Sequence, residues 1–495
     1  MSLSVNSSSR YHLSNHPPSD MSSSTRPDTF LLSIDGQGVA GLDEFDVIDP
    51  ATEELVARCP AADASMLAAA VASASRAFPA WRSAPWSERS AALKALGQLL
   101  QTHRETLVTL LVREQGKPRA AAEWEIDGSA AWFAGIAELT LEDEERPMLP
   151  GVKSILRHVP VGVVAAIVPW NFPILLAVWK IAPALLTGNT MVLKPSPYTP
   201  LTTLHFGLLA QSVLPPGVLN VVALPDSLAP QLTEHPNVGM IAFTGSTETG
   251  KKIMRSASSS IKRVTLELGG NDPAIVLPDA DVEAAAPALF WAAFQNSAQF
   301  CVASKRLYVH ESIYDRFCEA LVAYARTVQV GSGSNPAVGL GPIQNRVQFK
   351  KVRDLIDDSR RAGHRFLLGG EVQDGPGYFI PVTLIDNPPD DARCVVEEAF
   401  GPILPILKYH SVNEVIARAN ASHYGLASSV WGRDEQAAAD VGRRLEAGVV
   451  WVNCIHQMSP AVPMGGVKQS GLGVENGSEG LAHYCNLQTI VQKVG

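Results

Sequence analysis

The stretch GVVAAIVPWNFPILLAVWKIAPALLTGNTMVLKP, residues 162–195, decides how the chain folds. It contains a short apolar run at 163–168, an apolar segment of helix length at 174–186, and a second short apolar run at 191–193. Two short runs separated by one helix-length segment are typical of a βαβ unit, in which both strands belong to one parallel sheet. The stretch therefore predicts strand, turn, helix and strand in that order.

The same alternation continues to residue 268 and is repeated over residues 271–464. A chain of 495 residues exceeds the roughly 250–300 residues that one hydrophobic core serves. We therefore predict an α/β protein with two separate parallel-sheet cores. The periodicity between residues 64 and 141 predicts three or four helices ahead of the first sheet.

Composition and charge exclude several classes of partner. The chain is 46% hydrophobic and 18% charged, with a net charge of −9 and an isoelectric point near 5.8. This balance gives no reason to expect nucleic acid or an anionic membrane surface as a partner. Residues 162–186 are apolar enough to suggest a membrane span, but polar residues and three prolines interrupt them before about 20 apolar residues accumulate.

The six cysteines form neither a CxxC pair nor a cluster with zinc spacing, so we expect neither a disulfide framework nor a metal site. A reducing cytoplasm suits such a chain. Residues 1–28 are rich in Ser, Asn and Pro, which predicts a loose tail. A transit peptide would carry more arginine than Arg10 and Arg26 supply.

Four motifs carry the chemistry. In chain order they are PWNFP at 169–173, FTGST at 243–247, LELGGN at 266–271 and FQNSAQFCVASKR at 294–306. In this order and spacing they resemble the NAD(P)-dependent aldehyde dehydrogenase superfamily over nearly the whole chain after about residue 30. The resemblance implies that an aldehyde is oxidised to the carboxylic acid while NAD(P)+ is reduced.

The resemblance also implies how the domains are arranged. It assigns residues 29–139 and 159–268 to a Rossmann-like NAD(P)-binding domain, residues 269–467 to a catalytic domain, and residues 140–158 and 482–495 to a small β-arm. Such an arm implies a homodimer or a homotetramer.

Cys301 would be a core residue on base rates, because free cysteine is among the most buried residue types. Its polar neighbours and the resemblance instead make it the nucleophile, placed at a helix N-terminus that would help to form the thiolate. The resemblance makes Glu267 the general base and Asn171 part of the oxyanion hole. It makes Lys180 and Glu475 a pair that relays protons.

Two glycine-rich segments are candidates for binding the phosphates of a cofactor. The GxGxxG match at 36–41 lacks a following helix, so we predict a hairpin turn there. Gly245 and Ser246 lie between a strand and a helix running to about residue 258, where free amides and the helix dipole favour an anion. The phosphates are therefore expected at the second segment.

The remaining cofactor contacts follow from the resemblance. Lys194 is expected to bind the adenosine ribose beside Ser196, and Glu398 the nicotinamide ribose; Trp170 and Phe400 would contact the cofactor. Where many members carry a glutamate that binds the ribose hydroxyls, this chain has Pro197. NAD is the expected cofactor, and the missing carboxylate leaves NADP acceptable.

The substrate tunnel is expected to be aromatic and aliphatic, which favours an uncharged aliphatic or aromatic aldehyde. Its predicted lining is Phe172, Leu176, Trp179, Phe300, Val302 and Ile455. His456 and Gln457 could recognise a polar tail. Two alternatives stay open: a coenzyme-A-acylating enzyme, which would release the acyl group to a thiol, and a structural protein derived from the family.

Overall fold

The computed structural model describes residues 29–494, so the predicted tail at 1–28 and the terminal Gly495 lie outside the described residues. Two hairpins and four helices come first: β1 (Leu32–Ile34), β2 (Gln37–Val39), β3 (Asp43–Ile48), β4 (Leu55–Ala61), α1 (Ala64–Ser83), α2 (Trp86–Thr102), α3 (Arg104–Gln115) and α4 (Arg119–Ala137). The hairpin predicted at 36–41 is confirmed, because β1 pairs with β2 through Asp35 and Gly36 at φ 54° and 77°.

A pair of antiparallel strands leads into the first large sheet. These strands are β5 (Glu144–Leu149) and β6 (Val152–Pro160). The elements that follow are β7 (Val163–Ile167), α5 (Pro173–Leu186), β8 (Thr190–Lys194), α6 (Leu201–Ala210), β9 (Leu219–Val221), α7 (Ala229–Thr233), β10 (Val238–Thr244), α8 (Thr247–Ser258) and β11 (Arg263–Glu267). The predicted succession of strands and helices is thus present.

The second half of the chain repeats this alternation. Its elements are β12 (Asp272–Val276), α9 (Val282–Phe294), β13 (Ser304–His310), α10 (Tyr314–Ala325), α11 (Arg346–Arg361), β14 (Arg365–Leu368), β15 (Thr383–Asp386), α12 (Arg393–Val396), β16 (Ile403–Tyr409), α13 (Val412–Asn420), β17 (Ala427–Trp431), α14 (Glu435–Gly442) and β18 (Val449–Val452). The chain continues with β19 (Gly471–Leu472), α15 (Gly477–His483) and β20 (Cys485–Lys493).

Two large sheets confirm the α/β class. The first has the strand order β19-β11-β10-β7-β8-β9-β1-β2, with β11 to β9 parallel and the other strands antiparallel at its two edges. The second has the order β14-β15-β16-β13-β12-β17-β18 and is parallel except for β14. A third, antiparallel sheet of order β20-β6-β5 joins the two segments predicted for the arm.

Alternate side chains of a buried strand point to opposite faces of the sheet, so each strand of the second sheet contributes to two hydrophobic cores. Ala274 and Val276 of β12 pack against α9 and α10, while Ile275 between them packs on the opposite face with α11 and α13. Another cluster joins the first sheet to helices α1 to α6. Among residues 29–494, no helix combines the length and apolar character needed to cross a bilayer.

Candidate active site

The carboxyl ends of the parallel strands in the first sheet meet at one edge, which is where open α/β sheets bind ligands. In register, Ile167 of β7 pairs with Lys194 of β8 and with Phe243 of β10, and Thr244 pairs with Glu267 of β11. Lys194, Glu267 and the turns after β7 and β10 therefore lie along the same edge. Pairing across the sheet, rather than distance along the chain, brings these candidates together.

The loop before the thiol has an unusual backbone. Asn296, Ser297 and Ala298 have φ values of 53°, 56° and 60°, in the left-handed region that non-glycine residues avoid. Each such residue costs on the order of 1–3 kcal/mol and persists only where its surroundings hold it. Ser297 Oγ donates to Gly341 O at 2.7 Å, and Gln299 Nε2 donates to Pro342 O at 3.2 Å.

Cys301 lies in the turn between this loop and β13, so the expected helix N-terminus is wrong. The chain enters a strand after the thiol, so no helix begins at Cys301. Burial raises the pKa of the Cys301 thiol to about 12, and the Lys305 ammonium opposes that shift. Lys305 Nζ donates to Cys301 O at 2.8 Å and to Phe300 O at 2.9 Å. In this state the thiol is protonated.

Asn171 is held against the thiol loop by bonds at both its side chain and its main chain. Its Nδ2 donates to Gln299 O at 2.9 Å, and its main-chain O accepts from Asn296 Nδ2 at 3.1 Å and from Lys117 Nζ at 2.9 Å. A primary amide has two N–H groups, so one remains for a substrate oxyanion.

Lys117, which the sequence analysis did not identify, belongs to a buried ion pair with Glu125 of α4. Glu125 Oε1 accepts from the main-chain N–H groups of Ile174 at 3.0 Å and Leu175 at 3.3 Å, at the start of α5. The pair thus fixes both ends of the turn that carries Asn171. No local pattern marks Lys117 or Glu125, because their partners lie 54 and 49 residues away.

Glu267 ends β11 as a buried carboxyl whose Oε1 has no hydrogen-bond partner within residues 29–494. Burial raises its pKa well above the ordinary value; the Glu475 carboxylate raises it further, and the Lys180 ammonium lowers it. Lys180 and Glu475 form a buried ion pair. Three predicted residues therefore lie in one electrostatic network.

The edge after β10 has the shape of an anion site. Ser246 caps α8 by accepting from Thr249 N at 3.3 Å, which leaves the first amides of the helix facing the turn. A Cβ on Gly245 would lie 2.4 Å from the Phe243 ring, so a larger residue would have to displace that ring. The site suits a cofactor phosphate.

Lys194 is buried at the end of β8, and its Nζ lies 3.2 Å from Asp226 Oδ1 after the neighbouring strand β9. Burial lowers the pKa of Lys194, and Asp226 opposes the shift. Ser196, two residues further along the chain, is also buried, and Pro197 after it is half-buried. The side chain of Asp226 is 82% exposed. The sequence had suggested a ribose carboxylate only at position 197, and no local motif marks Asp226.

Glu398 and Phe400 approach the same region from the second sheet. Glu398 Oε1 accepts from Gly270 N at 3.0 Å, and a Cβ on Gly269 would lie 2.3 Å from Glu398 Oε2. Phe400 meets Trp170 edge to face at 5.4 Å between ring centroids. A buried cation, an open helix start and these polar groups are the types of residue that bind a dinucleotide such as NAD.

Aromatic rings pack beside the loop that carries the thiol. Phe172 and Phe300 lie 4.8 Å apart between centroids, and Trp124 packs edge-on against Phe172 at 6.3 Å. Trp179 stacks on Trp132 at 5.1 Å. The other predicted lining residues, Leu176, Val302 and Ile455, are buried or half-buried. Trp124 and Trp132 come from α4, which the sequence analysis did not connect with the site.

His456 corrects one expectation. Both of its ring nitrogens are engaged within the protein, at 2.9 Å from Gln295 Oε1 and at 3.1 Å from Val302 O, so neither is free for a polar tail. Gln457 Nε2 donates within its own loop to Ile455 O at 3.4 Å.

Within residues 29–494, no group of three or more His, Cys, Asp or Glu side chains is placed to hold a metal ion.

Comparisons with known proteins identify the family. The model of the aldehyde dehydrogenase family matches residues 39–490. A probable aldehyde dehydrogenase from a Pseudomonas species is 42% identical over 94% of this chain and 95% of its own length. Human retinaldehyde dehydrogenase 3 is 38% identical over 91% of this chain and 90% of its own.

A solved structure agrees with this result. The NAD+ complex of an aldehyde dehydrogenase from Bacillus cereus superposes with a TM-score of 0.92 at 36% identity, over 94% of this chain and 97% of that one. The chain belongs to the aldehyde dehydrogenase family and is an NAD-dependent enzyme that oxidises an aldehyde.

Proposed function

We propose that Cys301 is the nucleophile of this oxidation. The thiol first loses its proton to water, and the thiolate sulfur then bonds to the carbonyl carbon of the aldehyde while the carbonyl π electrons move to oxygen, which gives the oxyanion of a thiohemiacetal. The oxyanion accepts hydrogen bonds from Asn171 Nδ2 and from the main-chain N–H of Cys301. When bound, NAD would supply the hydride acceptor, and loss of a hydride from the thiohemiacetal carbon would leave that carbon attached to Cys301 as a thioester.

Glu267 acts on the thioester as general base. It takes a proton from a water molecule; the water oxygen bonds to the acyl carbon, the carbon–sulfur bond breaks, and the thiolate leaves. The carboxylic acid is released. A raised pKa and an unpartnered Oε1 suit a carboxyl that must bind water and then gain a proton. A buried carboxyl with an unpartnered Oε1, close enough to the half-buried Cys301 thiol to act on its charge, is the observation that carries the proposal.

The cofactor is held by residues from both sheets. The N–H groups at Ser246 bind the phosphates, and Glu398 binds the nicotinamide ribose beside Phe400. Lys194 and Asp226 bind the adenosine ribose, the lysine donating and the aspartate accepting. Asp226 thereby supplies the carboxylate that position 197 lacks, which favours NAD over NADP because a 2′-phosphate would meet a negative charge.

The substrate is an uncharged aliphatic or aromatic aldehyde. Phe172, Phe300 and Trp124 present rings to the site, and the Lys117 ammonium above the Phe172 ring is already paired with Glu125. No unpaired charge in this set would recognise a charged substrate.

The three-stranded sheet mediates assembly into a homodimer or homotetramer in the cytoplasm. Leu487 is 62% exposed and Leu149 64% exposed on this sheet, and β5 and β20 are its edges. Exposed apolar strands at a sheet edge are surfaces that pair with another chain.

The decisive experiment is Glu267→Gln. This variant should produce a rapid first turnover of NADH and then stall, because the thioester forms but water is no longer activated. Mass spectrometry of the quenched variant should find the acyl group on Cys301. Glu114→Gln is the matched control, since Glu114 is also buried but accepts from Leu201 N and Thr202 N at the start of α6, away from the thiol. Unchanged steady-state turnover, or wild-type turnover stimulated by coenzyme A, would contradict the assignment.

A further inference from the structure

His456 connects the two sides of the segment that carries the thiol. Its Nδ1 lies 2.9 Å from the carboxamide of Gln295, ahead of the left-handed residues, and its Nε2 lies 3.1 Å from Val302 O, directly after Cys301. The ring also packs on Phe300, with centroids 4.6 Å apart. One side chain thus contacts residues before, next to and after the nucleophile.

The connected segment is one that needs support. Three consecutive left-handed residues, 296–298, store backbone strain between α9 and the thiol. Ser297 and Gln299 hold the middle of the segment through Gly341 and Pro342. His456 acts at its two ends, where a shift would move Cys301 relative to Asn171.

His456 itself stands on a rigid base. Asn453 Oδ1 accepts from Gly432 N at 2.9 Å and Asn453 Nδ2 donates to Gly432 O at 2.8 Å, which ties the loop to the end of β17. Trp451 Nε1 donates to Gln457 O at 3.0 Å on the other side of the histidine. A side chain braced in this way can hold a neighbouring loop in place.

The ring is neutral near pH 7, because burial lowers the pKa of His456 to about 4. A neutral imidazole donates through one nitrogen only. Val302 O can only accept, so Nε2 carries the proton and Nδ1 must accept. The atom placed 2.9 Å from Nδ1 is Gln295 Oε1, so a neutral ring requires the carboxamide to be turned over, with its NH2 group donating to Nδ1. The two bonds therefore require one tautomer and one orientation of the carboxamide.

We propose that His456 is a positioning residue that fixes Cys301 for attack by bridging Gln295 and Val302. This inference rests on the proposed role of Cys301 as nucleophile. His456 touches neither the reacting atoms nor the cofactor in this role, so its loss should slow the first chemical step without weakening NAD binding.

Two substitutions of nearly equal size separate positioning from packing. His456→Gln keeps a side-chain donor and acceptor, whereas His456→Met keeps only length and apolar bulk, and both experience the same backbone φ of 54°. In single-turnover stopped flow, His456→Met should lower the rate of the NADH burst about tenfold, because both hydrogen bonds of the ring are lost and tenfold corresponds to about 1.4 kcal/mol. His456→Gln should recover most of that rate, and the Kd for NAD should match wild type in both.

Gln295→Met tests the other end of the bridge. If the two residues act through their mutual bond, the double variant should be no slower than the slower single variant. Gln436→Met, an exposed residue of α14, controls for the substitution itself. Equal burst rates for His456→Met and His456→Gln, or losses that add fully in the double variant, would overturn the proposal.

A substrate-pocket role for His456 predicts a different pattern. Replacing His456 would then change KM by an amount that depends on the size of the aldehyde. If His456 only positions Cys301, its replacement should lower the burst rate equally for propanal and for benzaldehyde. A fall in burst rate that depends on the size of the aldehyde would refute the positioning role. Wild-type enzyme examined in parallel separates failure of the two ideas. If wild-type enzyme forms no acyl adduct on Cys301, the assignment of Cys301 as nucleophile is wrong. If wild type forms the adduct but His456→Met has an unchanged burst rate, only the positioning role of His456 is wrong.

Discussion

Replacing Asn171 by alanine should remove one of the two proposed oxyanion donors and leave the protein folded. Asn171 is 2% exposed, so water has little room to take the place of the lost amide. Loss of one such donor typically costs about 2.7–4 kcal/mol of transition-state stabilisation. We therefore expect kcat to fall roughly 100-fold to 1,000-fold.

The effect on folding should be small by comparison. The substitution removes one bond, from Nδ2 to Gln299 O, worth about 1 kcal/mol net. The main-chain O of residue 171 keeps its bonds from Lys117 and Asn296 in the variant, because they do not involve the side chain. The turn should therefore stay in place, and the Kd for NAD should match wild type.

The assay is steady-state NADH formation at saturating NAD and aldehyde, with thermal unfolding measured alongside. Asn189→Ala is the matched control: this asparagine is also buried and makes three side-chain bonds, to Thr187, Tyr484 and Gly162. It should lose more stability than Asn171→Ala and keep its kcat. An Asn171→Ala enzyme that loses less than about tenfold in kcat, or a control that loses as much, would refute the oxyanion assignment.

Four further outcomes are expected. Cys301→Ala should fold and bind NAD but form no NADH; a tenth of wild-type turnover would exclude the thiol as nucleophile. Asp226→Asn should raise kcat/KM for NADP relative to NAD about tenfold at low salt, because a negative charge beside the 2′-phosphate is removed. Glu234→Gln is the control. An unchanged ratio of kcat/KM for the two cofactors would contradict the assignment of Asp226 to the adenosine ribose. Burial raises the pKa of Asp272 from 3.8 to about 7, so the folded state holds a proton that the unfolded chain releases between these values. The stabilising contribution of this group is therefore present below about pH 4 and is lost as pH rises through about 7. Asp272→Asn should flatten the fall of Tm with pH over that window. Equal slopes of Tm against pH in the variant and in wild type would contradict this prediction. Leu487→Lys on β20 should dissociate the oligomer in light scattering, whereas Lys493→Gln should not, and an unchanged mass for Leu487→Lys would remove the assembly role of this sheet.

The sequence by itself determined the fold class and most of the strands and helices. Apolar runs of strand length alternate with helix-length segments from residue 163 onward, and this period reflects burial and backbone hydrogen bonding within each segment. The helix predicted after Gly245 and Ser246, running to about residue 258, matches α8 for the same reason. Family motifs named Cys301, Glu267 and Asn171, although their roles stay predictions.

Only the tertiary structure decided how those residues are held. Asn171 meets Gln299 across 128 positions of sequence, and Ile174 meets Glu125 across 49. Such contacts depend on sheet order and on the packing of α4 and α5, which local periodicity does not contain. The helix N-terminus that the family resemblance implied at Cys301 was wrong, because the thiol lies in a turn and the next element is β13, which pairs with β12 and β16. The bonds of His456 and the carboxylate of Asp226 likewise arise from chain segments that meet only in the folded protein.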